Sequence, residues 1–401
     1  MNRRWSWLGA AWGMACVGEA PPLPIMTGLV DDGSPTTPGT TATAPTTTTA
    51  TATASTEPSE DDTTSASMAE CGNGDVELGE DCDGIDWQGA TCESLGFDGG
   101  ALECGMDCSF ITSGCTYACG NGIIDPTENC EGLDLAEATC ESLGLTGGRL
   151  ACSETCHWNL DGCAVPAGMV LVPGGTFTMG SDGYADERPI RQVHEDAFLV
   201  DATEVTVAAY GECVTAGICT APLTDSSCNW MVAGREDHPV NCVSWLQADQ
   251  FCSWAEGGSK RLPTEAEWEK AARGVTALEY PWGNGPQPTC TLAVMDEDGP
   301  GCTMATTWPV GSKPLGASPY GALDMAGNVR EWVSDWYASS YEEGAVNNPT
   351  GPGSGTQRVM RGGSLHDNSP FAFRTADRSK SAPDTANFTI GFRCVWDLPA
   401  M

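Results

Sequence analysis

Lys260-Arg-Leu-Pro-Thr-Glu-Ala-Glu-Trp-Glu269 is the stretch from which the fold can be read. Thr264 followed by Glu267 is a capping box: the threonine hydroxyl accepts from the orphan amide at the third helical position, and the glutamate reaches back to the threonine amide. The spacing predicts a helix from Thr264 to about Arg273, stopped by Gly274. Upstream, Ser244-Trp-Leu-Gln247 repeats the device and predicts a helix to about Glu256, stopped by Gly257-Gly258. A third helix candidate runs from Thr206 to Ala216. Val170-Leu-Val172 and Phe177-Thr-Met179 bracket Pro173-Gly-Gly175, which reads as a hairpin. After Gly274, short strand candidates alternate with long loops punctuated by Gly and Pro, so the segment 166–398 is expected to be an irregular α+β domain with little regular secondary structure.

Outward from this domain the composition changes. The 401-residue chain is long enough for two or three domains. Residues 1–165 hold 3 basic against 26 acidic side chains, the remainder 15 against 29, giving −23 and −14 and a net charge of −37. So acidic a chain is repelled by phosphate backbones and anionic headgroups, which excludes a nucleic-acid partner and favours divalent cations. Asn2-Arg3-Arg4, the mostly apolar run Trp5 to Met14 and the small Ala15 before Cys16 read as an export signal over 1–16. Gly13-Met-Ala-Cys16 resembles a degenerate bacterial lipobox in which Cys16 becomes lipidated, with Gly13 where leucine is usual; ordinary cleavage nearby is the alternative. No other apolar run approaches the roughly 20 residues that span a bilayer. Residues 17–70 form a Thr/Pro/Ser-rich tract with no hydrophobic periodicity, expected to be a disordered tether.

Two cysteine-rich modules follow, 71–115 and 119–163. Each opens with Cys-Gly-Asn-Gly, and the cysteine intervals are 11, 10, 12, 4 and 7 in both. Ala90-Thr-Cys-Glu-Ser-Leu-Gly96 matches Ala138-Thr-Cys-Glu-Ser-Leu-Gly144. Modules this small lack a sufficient core, so three disulfides in each must supply the constraint, with connectivity left open. They resemble cysteine-rich repeats of myxobacterial surface proteins, and a spacer or stalk is the expected role. Of 21 cysteines, removing Cys16 leaves an even 20, which suits an oxidising compartment.

Eight segments carry a family resemblance. Met169-Val-Leu-Val-Pro-Gly-Gly-Thr-Phe-Thr-Met-Gly180, Asp201-Ala-Thr-Glu-Val205, His238-Pro-Val-Asn-Cys-Val-Ser-Trp245, Lys260 to Glu269, Tyr280-Pro-Trp-Gly-Asn284, Asp324-Met-Ala-Gly-Asn-Val-Arg-Glu-Trp332, Arg361-Gly-Gly-Ser364 and Gly391-Phe-Arg-Cys394 occur in this order. In that order they resemble the formylglycine-generating, or sulfatase-modifying-factor, family. The resemblance implies a C-type-lectin-like variant fold and an activity: oxidation of a client sulfatase cysteine to formylglycine with O₂ and copper(I) held by two cysteines. Soft thiolates suit copper(I). In the family those cysteines lie a few residues after Gly-Gly-Ser, five positions apart. The matching stretch here, Leu365-His-Asp-Asn-Ser-Pro-Phe-Ala-Phe373, contains none, so copper is not expected.

The resemblance further implies a structural disulfide between Cys252 and Cys394, and loss of a second at Ala272 and Thr375. Cys213 with Cys219, Cys228 with Cys242 and Cys290 with Cys302 are the simplest local pairs, although sequence alone does not prove them. It also implies a structural calcium held by Asp324, by carbonyls near Met325, Gly327 and Val329, and by Glu331; pairing of Glu331 with Arg330 or Arg361 is the alternative. Oxygen-only ligands on a glycine-bent loop suit a hard cation. Arg361, Gly362, Gly363 and Ser364 resemble the client-binding edge of the family's groove. Of the four histidines, His157, His194, His238 and His366, the last lies beside Asp367 in that groove region. His366, Asp367 and Ser364 are the remaining candidates for chemistry, although a His-Asp pair on a loop is usually a hydrogen-bonded loop feature.

The expected function is therefore a non-catalytic binding module, exported and held off the membrane by its tether, with a protein, peptide or small-molecule ligand at the cell surface. The protein would be a surface lipoprotein or secreted, touching the membrane only through an N-terminal lipid anchor. The alternative is a divergent oxidoreductase of the same family.

Overall fold

A computed structural model describes residues 71–398 apart from Thr127. The export signal, Cys16 and the tether expected over 17–70 lie outside the described residues. Both capping boxes form. Helix α1 (Val207–Thr215) starts at Thr206, α2 (Trp245–Trp254) at Ser244 and α3 (Glu265–Arg273) at Thr264. In α3 the Glu267 amide donates to the Thr264 hydroxyl at 3.1 Å, and the Thr264 amide donates to the Glu267 carboxylate at 2.7 Å. Gly274 ends this helix at φ +67, and a Cβ there would meet Pro319 at 3.1 Å. Helix α2 ends slightly early and passes into a 3₁₀ turn, Ala255–Gly257, before Gly258.

Three sheets surround the helices. In the first, β5 (Lys260–Arg261), β11 (Val395–Asp397), β4 (Phe198–Asp201) and β1 (Met169–Val172) lie side by side, all antiparallel. The second has the order β9 (Ser379–Ser381), β8 (Arg358–Arg361), β6 (Arg330–Trp336), β10 (Ile390–Phe392), the last pair parallel. The third joins β7 (Val346–Asn347), β3 (Arg191–Glu195) and β2 (Gly175–Met179).

The hairpin expected around Pro173-Gly-Gly175 does not form. Strand β1 pairs with β4 and strand β2 with β3, so this link carries the chain from one sheet to another. Burial explains the outcome. Val172 packs with Phe198, Val200 and Trp268, whereas Phe177 and Met179 pack with Val193, Ala266 and Tyr341. Gly175 makes the change of sheet at φ +129, a conformation open to glycine.

All 20 described cysteines are bridged. Each repeat joins its first cysteine to its fifth, second to fourth and third to sixth: 71–108, 82–104 and 92–115, then 119–156, 130–152 and 140–163. In the larger domain the bridges are 213–219, 228–242, 252–394 and 290–302. The expected spacer role does not describe the second repeat. Its Leu143, Leu145, Leu150 and Leu160 share one apolar core with Ala197, Leu199 and Leu398 of the larger domain, and Trp396 packs against that core.

Candidate functional site

Helix α3 is buried along its whole length, although six of its nine residues are charged or Trp. Its carboxylates survive burial because arginines from distant segments reach them. Arg361, at the end of β8, donates to Glu265 at 3.1 Å and to Glu269 at 2.5 Å, and also to the Thr375 and Ala376 carbonyls. Burial alone would raise the Glu265 carboxyl, yet the guanidiniums of Arg378 and Arg361 outweigh it and hold it below its ordinary range.

This changes the reading of the groove edge. Arg361 is 1% exposed, and Gly362, Gly363 and Ser364 are buried with it, so the four support the groove region from beneath and do not line it. A Cβ on Gly363 would lie 2.7 Å from the Ala372 carbonyl, which is why the chain needs glycine there to turn under the following loop.

Of the three candidates for chemistry, Ser364 and Asp367 meet and His366 stands apart. Asp367 accepts from the Ser364 amide at 2.8 Å and its hydroxyl at 2.7 Å, and pairs with Arg330 at 2.6 Å. His366 is exposed and turns its ring edge to Phe388, centroids 5.0 Å apart. The side chains of His366 and Asp367 therefore do not form a dyad, and the Asp367 carboxylate acts as a turn-closing acceptor.

Beyond this turn, the short 3₁₀ segment Pro370–Phe373 presents Phe371 beside Tyr184, ring centroids 6.1 Å apart at 80°. The Arg374 guanidinium lies 5.2 Å from the Tyr184 ring and 5.8 Å from that of Phe371, fixed from behind by Glu187 at 3.0 Å. These groups, with Arg273, Glu279 and Ser181, bound a cavity of about 610 Å³. Both Arg273 and Arg374 carry a buried Nε–H with no acceptor among the described residues. An aromatic wall beside guanidiniums can hold a planar or carbonyl-bearing group.

The residues offered for calcium come together with two others. Both Glu331 oxygens are held by Arg393, at 2.6 and 2.7 Å, and one also accepts from the Trp268 indole at 2.8 Å. Neither alternative partner reaches it, since Arg330 is engaged by Asp367 and Arg361 by α3. Glu331 is thus occupied as an arginine partner. Asp324 accepts from the Gly311 amide at 2.5 Å, and Glu204 accepts from Asn328 at 3.1 Å and from the Val329 amide at 3.3 Å. Burial, then repulsion from Asp324 and Glu331, raises the Glu204 carboxyl well above its usual range. Burial also raises Asp324, which is in side-chain hydrogen-bond reach of Glu204. Three buried carboxylates around one guanidinium are balanced by a retained proton or by a cation, and the oxygen donors of Asp324 and Glu204 are of the kind a hard cation takes.

Nothing in the sequence alone marks Glu204, Arg393, Arg374, Tyr184 or Phe371 as site residues. Glu204 and Arg393 stand inside quoted segments, but their partners lie far along the chain. His238 is 8% exposed and held by the Thr307 hydroxyl at 2.8 Å, a structural placement.

The larger domain is similar to known proteins. The family model described as a sulfatase-modifying factor enzyme 1-like domain matches residues 162–398. A formylglycine-generating enzyme of Bos taurus is 34% identical over 284 residues, covering 58% of this chain and 75% of that protein. One from Streptomyces coelicolor is 35% identical over 290 residues, covering 57% and 89%. The solved structure of PvdO from Pseudomonas aeruginosa is 26% identical with a TM-score of 0.49, covering 57% and 94%. With a matched segment that takes up more than half of its length, this chain belongs to the sulfatase-modifying factor enzyme 1-like, or formylglycine-generating enzyme, family.

Proposed function

We propose that the larger domain is a non-catalytic binding module of an exported surface protein, its ligand a protein, peptide or small molecule. The observation that carries this reading is the state of sulfur: all 20 described cysteines are in disulfides, and none lies between Ser364 and Arg374. Copper(I) chemistry of the family's kind needs thiolates, and nitrogen or carboxylate donors such as His366 and Asp367 favour other ions. Ligand binding falls instead to the wall of Tyr184, Phe371 and Arg374. The alternative of a divergent oxidase rests on the resemblance of Arg361 to Ser364 to a client-binding edge, and the burial of these four residues weighs toward the binding module.

Export is supported by the signal-like N-terminus and by ten disulfides, which persist in oxidising compartments. Anchoring through Cys16 completes the picture of a surface lipoprotein. Calcium is structural in this account: Asp324 and Glu204 hold it with carbonyls of the Met325 to Val329 turn, while Glu331 and Arg393 brace that turn. Chelation should lower the melting temperature of the wild type and leave Glu204→Gln unchanged; an equal response in both, or none in either, removes the site.

The test of the main reading uses the mature chain. Alkylation without reduction should label none of the 20 positions, and copper(I) should pass entirely to a competing chelator. Stoichiometric copper retention would overturn the proposal.

A further inference from the structure

A second cavity, of about 590 Å³, opens at the start of α3, whereas the groove lies at its C-terminal end; the end of β3 and the strands carrying Trp336 and Arg358 line it. Its charges are nearly all matched. Arg261 holds both Glu267, at 2.6 Å, and Asp397. Asp196 accepts from Asn348 at 3.0 Å and faces His194 at 3.7 Å. Arg358 donates to the Ser334 carbonyl and is sandwiched by Trp245 and Trp336, 3.7 and 3.6 Å from its guanidinium carbon to the ring centroids. Its Nε–H lacks an acceptor among the described residues.

Glu195 is the exception among the carboxylates. It lines this cavity, is 2% exposed, and its Oε1 has no hydrogen-bond partner among the described residues. The neighbouring cation does not close on it: Lys270 donates to the backbone carbonyls of Gly175, at 2.8 Å, and of Glu195 itself, at 3.3 Å. A buried carboxyl with a free oxygen in a cavity of this size is a built acceptor for a charged donor.

We propose that this cavity binds a small molecule bearing a primary ammonium group, seated on the Glu195 carboxylate. The cavity is separate from the Tyr184 and Phe371 groove, so the inference stands or falls independently of the proposed function. The groups facing Glu195 set its proton affinity. Burial is the largest effect and Glu267 and Asp335 add to it, while Lys270 and Arg261 oppose, leaving the carboxyl pushed up to about 8. Near neutral pH Glu195 then carries a proton, and an arriving ammonium displaces it to bulk buffer. An alkylamine, with a lysine-like pKa near 10.4, stays charged throughout.

Titration calorimetry of the mature chain with n-butylamine, in two buffers of different ionisation enthalpy, reads this directly. Saturable binding should release about one proton at pH 7 and almost none at pH 9. n-Butanol, and n-butylamine with Glu195→Gln, should bind at least about tenfold more weakly. No binding of n-butylamine, binding without proton release, or equal binding of the alcohol overturns the proposal. Burial pushes the adjacent Lys270 down to about 8, so it adds to the proton count, whereas the n-butanol comparison on the wild type decides the matter even if the variant does not fold.

Discussion

Arg361 and its two carboxylates show what single residues do here. A guanidinium with no access to water is tolerated because Glu265 and Glu269 meet it from adjacent turns of α3, and those two persist in the interior only because Arg361, Arg378 and Arg273 meet them. Asp335 and Glu195 are among the buried carboxyls that accept no hydrogen bond from a guanidinium. Asp335 is pushed up to about 7, by burial and then by Glu265, and Glu195 to about 8. Both folded values lie above the unfolded ones, so each group's contribution is fully present below its unfolded value near 4 and is lost as pH rises through the folded value. Stability should therefore fall between pH 5 and pH 8, by at most about 1.4 kcal/mol per unit per group. Urea midpoints across that range check it, and Glu195→Gln should flatten its share of the slope. Below pH 4.5 the sign reverses as Glu265, whose carboxyl is held low, takes up a proton. None of this was legible in the sequence, because a buried carboxyl and an exposed one are written alike until the partner segment is placed.

Elements were legible where local chemistry decides them. The capping boxes at Ser244 and Thr264 are complete within four residues, and both helices start where they say. The Val170 and Phe177 strands were also visible, but their pairing was not, since the choice between a hairpin and a change of sheet lies in cores supplied by Phe198 and Val193. The Cys252–Cys394 bridge ties α2 to the residue before β11 across a separation of 142 residues. Replacing both cysteines by serine should lower stability by about 3–5 kcal/mol, measured by denaturant unfolding. A loss below 1 kcal/mol would mean that the nested packing of Phe251 and Phe392 alone fixes α2.

At the scale of the whole molecule, the repeat was evident from cysteine spacing, whereas its docking was not. Leu143, Leu145, Leu150 and Leu160 read as ordinary module leucines until the surface of Leu199 and Leu398 is set against them. Deleting residues 71–118 should leave the melting temperature of the remainder nearly unchanged. Deleting 71–163 exposes that apolar surface and should lower the melting temperature and promote association, as light scattering would show. Activity assays therefore belong on the mature chain with both repeats. The family fold is present, the groove has an aromatic and guanidinium wall, and the sulfur on which the family's oxidation depends is absent from it. The decisive measurement incubates the mature chain with a sulfatase-type cysteine peptide, copper(I) and oxygen, and follows the peptide by mass spectrometry. The thiol should remain intact with no aldehyde formed; catalytic aldehyde formation that disappears in His366→Ala would contradict a non-catalytic role and establish a cysteine-free route in this fold.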